Sequence, residues 1–227
     1  MIRTIYLLWF QGFEHAPEVV TYCVRSWKQY NPEWTLVLLD ETNLYHYVTL
    51  DYPAMELCHR ADIVRMKLLS QYGGVWVDAT TFCHKPLDDW LPAYTKEGFF
   101  VFDQPYSNLM ISNWFIYAEP SNLLIQAWTS ATLHYYQHHE KAHTYFIHHH
   151  LFEQVCQTDC KRIWDRVPKF SAIVPHTLQS MEFLSNLHED IDAKRVPLYK
   201  LSYKYRFHPY DASMNLYYLY NTLTVET

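Results

Sequence analysis

The sequence predicts an α/β protein built on a Rossmann-like, mixed but mainly parallel sheet flanked by helices. Three observations predict it. The chain opens with a strand, a helix and a second strand in succession. Its strands are apolar runs without polar alternation, as in sheets covered on both faces. Between residues 61 and 80 a helix, a glycine stop and a short strand follow one another, and the strand ends in a carboxylate.

Taken in order, Thr4-Ile5-Tyr6-Leu7-Leu8-Trp9-Phe10 is the first strand, closed by the turn Gln11-Gly12. Residues 16–29 are helix-periodic through Val19, Val20, Cys23, Val24 and Trp27, with Pro17 in the first turn. Asn31-Pro32 stops that helix, and residues 35–39 form the next buried strand, ending at Asp40-Glu41. In the central stretch Asp62, Arg65, Leu69 and Tyr72 share a helical face at spacings of three and four, beside an apolar stripe of Ala61, Val64 and Leu68. Gly73 supplies the left-handed residue that ends the helix, and Gly74 turns the backbone closely into Val75-Trp76-Val77. Asp78 then lies where the strand leaves the sheet, the end at which ligands bind in open α/β folds. Further strands are expected at residues 98–102, 111–117 and 198–201, and helices at 121–135 and 215–223.

A chain of 227 residues suits one domain, here residues 1–227, with one sizeable core. Aromatics make up 18% of it and glycine only 4 residues, which argues against disorder and is compatible with rings stacking on sugar faces. The formal net charge of -6 gives no basic field for nucleic acid. A local basic run, Tyr199-Lys200-Leu201-Ser202-Tyr203-Lys204-Tyr205-Arg206, could serve a diphosphate, an anionic membrane surface or simply a solvated strand. Five cysteines without framework spacing, behind a Met-Ile-Arg-Thr start lacking a signal-peptide pattern, read as reduced thiols of a cytoplasmic protein. No apolar run reaches the roughly 18 residues that span a bilayer, so a lipid-linked substrate would be met at the membrane surface, here the inner face.

Ala61-Asp62-Ile63-Val64-Arg65, followed by Leu68-Leu69-Ser70-Gln71-Tyr72-Gly73-Gly74-Val75-Trp76-Val77-Asp78-Ala79-Thr80, resembles the core signature of the capsular polysaccharide synthesis family and related family-32 glycosyltransferases. Trp9-x-Gln11-Gly12 and Ser26-Trp27-Lys28-x-x-Asn31-Pro32 are similar to the family's N-terminus. The resemblance implies a GT-A fold and transfer of a hexose from a nucleotide-diphosphate sugar, UDP-linked by preference, to a hydroxyl of a bacterial surface polysaccharide or lipopolysaccharide. It implies that Asp62, Arg65 and Asp78 are catalytic, that Trp9, Gln11, Gly12, Gly74 and Thr80 join them in binding the donor, and that the anomeric configuration is retained. It also implies a divalent ion, Mn2+ or Mg2+, at Asp78. The family's Asp-X-Asp is replaced by Asp78-Ala79-Thr80, so the second carboxylate comes from elsewhere, with Asp103 in reserve, or arginine and lysine neutralise the diphosphate instead.

Asn113, in Ile111-Ser112-Asn113-Trp114, together with His149 and His176, resembles acceptor or phosphate positions of the family, although Thr144 stands where an acidic residue usually precedes the pair Tyr145-Phe146. The remaining histidines, including His134/His138 and His139/His143 at spacings of four, read as structural or surface residues, since neither a metalloprotease motif nor a cysteine partner accompanies them. Two other classes compete. A nucleotidyltransferase would need a glycine-rich basic loop where Trp9-Phe10-Gln11-Gly12-Phe13-Glu14 stands, and a non-catalytic glycan- or nucleotide-sugar-binding protein would explain the altered acidic motif.

Overall fold

The computed structural model describes residues 1–50, 55–180, 188–204 and 215–223. The opening apolar run forms β1, Thr4–Leu8; α1, Glu18–Tyr30, returns the chain, and β2, Thr35–Leu39, pairs parallel with β1. β1 stops at Leu8 rather than continuing to residue 10 because the chain turns there. The Gly12 N–H donates to the Trp9 carbonyl, and Gly12 adopts a φ of 86°. Trp9, Phe10 and Gln11 are thereby lifted off the carboxyl end of the sheet.

The central helix is α2, Leu57–Gln71, and it ends as its sequence demands, at Gly73 with φ 69°. Almost all of its surface is covered: Asp62, Ile63, Val64, Arg65, Met66, Leu68 and Leu69 are buried, while Tyr72 is exposed. β3, Gly74–Asp78, pairs parallel with β1 so that Asp78 stands opposite Leu8. A Cβ at Gly74 would lie 2.6 Å from the Thr4 carbonyl oxygen, so glycine is what lets the two strands meet.

β4, Thr81–Cys83, leaves the sheet; α3, Leu91–Tyr94, leads to β5, Phe99–Asp103, and β6, Ile111–Ala118, turns back beside β3. The sheet order is β2-β1-β3-β6-β5, and β6 alone of these strands runs against the others. α4, Leu123–His138, begins where the Asn122 side chain accepts the Leu124 N–H at 2.9 Å, and α5, Ile147–Val155, packs on it. Strand alternation sends Ile5, Leu7, Val75 and Val77 towards α1, and Tyr6, Leu8 and Trp76 towards α2 and α4, so one apolar cluster fills each face of the sheet.

A second, two-stranded sheet was not foreseen as a pair. β7, Leu198–Lys200, runs antiparallel to β4 with Lys200 opposite Thr81. The family-like Ser26-Trp27-x-x-x-Asn31 segment holds this sheet in place. The Ser26 hydroxyl accepts the Cys83 N–H at 2.8 Å, the Trp27 indole donates to the Thr81 carbonyl at 2.7 Å, and the Asn31 amide oxygen accepts the Leu87 N–H at 2.8 Å. These residues are buried brackets, and burial makes each of these bonds expensive to lose. The C-terminal helix spans Asn215–Tyr220, and Tyr205 and Arg206 of the basic run lie outside the described residues.

Candidate active site

At the carboxyl ends of β1 and β3 a cavity of about 610 Å³ opens between α2, α5, the Trp9–Gln11 turn and the segment after β7. Trp9, Gln11, Asp62, Arg65, Asp78, Thr80, Asn113 and His149 all line it. Sequence positions spread over more than a hundred residues thus converge at the place where an open α/β sheet binds its ligand.

The polar floor is a chain of paired groups around Arg65. Asp62 and Arg65 lie one helical turn apart, with Arg65 Nη2 3.3 Å from Asp62 Oδ1 and 3.5 Å from Asp78 Oδ1. The Arg65 guanidinium also donates to the Ala61 and Asn113 carbonyls and lies 4.9 Å above the Trp76 ring. Asp62 is held from further directions: the Asn113 amide donates to Oδ1 at 3.2 Å, His148 Nδ1 stands 3.3 Å from the same oxygen, and His59 Nδ1 stands 3.4 Å from Oδ2. A buried carboxylate so enclosed is fixed in position.

Asp78 receives the Trp76 indole N–H at 3.0 Å on Oδ1, and Lys200 Nζ faces Oδ2 at 3.4 Å. Burial alone would raise its carboxyl, but Lys200, Arg65 and the Trp76 indole outweigh burial and hold it below the usual carboxylate range. Lys200 also donates to the Thr80 hydroxyl at 2.6 Å. His149 is buried on α5, and burial, followed by the charge of Arg65, lowers it to about 4, so its ring is neutral at pH 7. Its Nδ1 has no hydrogen-bond partner among the described residues.

Three of the expected residues are not brought into the cavity. Gly74 sits at the opposite end of β3 from Asp78, about 13 Å away at 3.3 Å per residue, where it lets β1 and β3 approach. His176 does not line the cavity; its ring packs 5.6 Å from that of Trp114. Gly12 lies just outside the lining and shapes the turn that presents Trp9 and Gln11. The reserve carboxylate, Asp103, is also outside the cavity.

Residues absent from the sequence-based set also enter. Lys200, Tyr203 and Lys204 belong to the basic aromatic run, and Tyr203 meets Trp9 edge-on at 5.6 Å. The run was a visible signal, but its destination depends on the β4–β7 pairing. Glu56, Cys58 and His59 bring donor atoms within 4.8 Å of one another at the α2 rim. Burial, then the charge of Asp62, pushes the Cys58 thiol up.

A family model described as "Capsular polysaccharide synthesis protein" matches residues 1–220. The chain is 30% identical to O-glycosyltransferase braB of Annulohypoxylon truncatum over 56% of this chain and 36% of that protein. It is 26% identical to Glycosyltransferase afumC of Aspergillus fumigatus over 56% of this chain and 38% of that one. The match therefore spans little more than a third of the length of these curated relatives. Among solved structures, PaToxG Glycosyltransferase superposes with a TM-score of 0.50 at 12% identity, covering 72% of either chain, which is a likeness of fold.

Proposed function

The chain belongs to the capsular polysaccharide synthesis protein family, and from that premise we propose that it is a retaining hexosyltransferase related to the family-32 enzymes. In this reading residues 1–227 form one GT-A-type domain. The donor is a nucleotide-diphosphate sugar, UDP-linked by preference, and the acceptor is a hydroxyl of a bacterial surface polysaccharide or lipopolysaccharide. The observation that carries the reading is the meeting of Asp62, Arg65, Asp78 and Lys200 in one cavity at the carboxyl ends of β1 and β3. Both curated relatives are named as glycosyltransferases, which supports it.

The enclosed Asp62 carboxylate and the Arg65 guanidinium orient sugar hydroxyls, a task that needs groups unable to relax. Trp9, Gln11 and Tyr203 offer faces and edges to base and ribose. Asn113 and the neutral His149 stand on the acceptor side. In the transfer, the bond from the anomeric carbon to the diphosphate oxygen breaks and its electron pair leaves with the diphosphate. The acceptor oxygen bonds to the same carbon, and its proton passes to the departing phosphate. Among the described residues Asp62 and Asp78 are the carboxylates lining the cavity, and both are tied to cations, so neither is free as a nucleophile. A same-face substitution follows, and proton NMR of the product should show the donor's anomeric configuration; an inverted linkage would refute it.

A divalent ion does not fit the cavity residues among those described. Such an ion wants several oxygen ligands, yet both Asp78 oxygens are engaged and the Thr80 hydroxyl is bonded to an ammonium. Asp62 is spent on Arg65, Asn113 and two histidines.

No helix among the described residues is long and apolar enough to cross a membrane; a lipid-linked acceptor would be met at the cytoplasmic membrane face. The donor assignment is tested by melting the protein with UDP, GDP and CMP and their sugars. At about a hundred times the dissociation constant a ligand stabilises by roughly 2.7 kcal/mol, a shift on the order of 5–10 °C for a chain of this size. A shift with one nucleotide, lost in Asp78→Asn, is expected. No shift with any nucleotide would return the chain to a glycan-binding role.

A further inference from the structure

We propose that the Lys200 ammonium occupies the place of the divalent cation in this site, so that the nucleoside diphosphate is bound, and discharged as leaving group, without metal. The inference rests on the donor-site reading above and deepens it. Lys200 Nζ lies 2.6 Å from Thr80 Oγ1 and 3.4 Å from Asp78 Oδ2, bridging the first and third residues of Asp78-Ala79-Thr80. An ion chelated by that motif would have to sit between the same two side chains. At these two positions the site thus offers one carboxylate and one hydroxyl, with a monovalent cation already seated between them.

The ammonium is built in. Its backbone is fixed on both sides, the Lys200 N–H donating to the Pro175 carbonyl and the Leu201 N–H to the Thr80 carbonyl, each at 2.8 Å. An ammonium has three donors; Thr80 and Asp78 take two, which leaves the third for a ligand oxygen. The cavity as a whole is suited to an anion. Arg65, Lys200 and Lys204 outnumber Asp62 and Asp78 among its described lining side chains. A fixed cation in a half-enclosed site stabilises charge developing on a departing diphosphate without reorganising, the same service a metal performs.

Isothermal titration of the purified chain with UDP and GDP, each in chelator and in excess manganese, tests this. The wild type is expected to bind its nucleoside diphosphate with an affinity that chelator leaves unchanged. Lys200→Met is expected to lose roughly 30-fold, the worth of a charge-assisted contact, in both conditions, while Lys200→Arg retains most of the affinity and the corresponding nucleoside without phosphates binds both variants equally. Wild-type binding that requires manganese would overturn the inference and leave the donor-site reading standing; that arm needs no variant to fold. Lys200→Met binding as tightly as wild type in chelator would overturn it as well. Binding of no nucleoside diphosphate in either condition would remove the donor-site reading itself, and this inference with it.

Discussion

Arg65→Met should be the most damaging single substitution in the site. The guanidinium is buried between two carboxylates and over an indole ring. Removing one partner of a buried ion pair leaves the other charge uncompensated and costs about 3–5 kcal/mol, which for a chain of this size is a fall in melting temperature on the order of 10 °C. The deficit should depend on pH in a stated direction. Asp78 is held below its ordinary value, so its contribution is present above the unfolded carboxylate range and fades as pH falls through the folded value. Without Arg65 its folded value rises, protonation becomes the relief, and the gap between variant and wild type narrows as pH falls from 7 towards the histidine range. Asp62→Asn in the Arg65→Met background should recover part of the loss, since it deletes one orphaned charge. Donor turnover should fall about 10²–10³-fold, the usual worth of one fixed donor at a charged centre. A variant that melts with the wild type at every pH would show that Arg65 is a solvated surface pair after all.

How much of this site could be read in advance follows from how local each feature is. Asp62, Arg65, Gly73 and Asp78 are legible because a helix, its stop and the next strand are consecutive, and their geometry is set by spacings of three, four and one. The first strand and helix, and the 35–39 strand, are legible for the same reason. Lys200 is not. It reaches Asp78 across more than a hundred residues through the β4–β7 pair, and three-residue strands carry almost no periodic signal. The close turn at Gly74 is legible in the sequence, but the Thr4 carbonyl it approaches is not, because that strand pairs with it from far away in sequence. Ser26, Trp27 and Asn31 show the opposite trap: residues that travel with a family's signature but act as the brackets of β4. His176 packs on Trp114 outside the cavity lining, a tertiary contact that its local sequence does not specify.

The second large effect is acid lability. Burial lowers His84, His149 and His176 to about 4, assisted by Lys194 at His84, by Arg65 at His149 and by Lys200 at His176; His148 is lowered in the same direction by burial and by Arg65. For a group whose folded value lies below its unfolded one, the unfolded chain binds the proton first. The stability is therefore complete above about 6.5 and is lost as pH falls from there towards 4. Each pH unit in that window costs about 1.4 kcal/mol per histidine, so by pH 5 three such groups remove on the order of 6 kcal/mol, comparable with the whole stability of an ordinary domain. Unfolding followed by circular dichroism should thus have its midpoint near pH 5, in the histidine range and above the carboxylate range. His84 gives the sharpest control. It is fully buried, and Tyr30, Phe82 and Tyr199 surround it at 5.8–6.3 Å. His84→Phe keeps the volume and deletes one proton-binding group of the unfolded chain, so it should flatten the profile and move the midpoint to lower pH. An unchanged midpoint, or a wild type stable down to pH 4, would mean that these rings are protonated in place. The neutral imidazole of His149 at the cavity wall would then have to be given up as well.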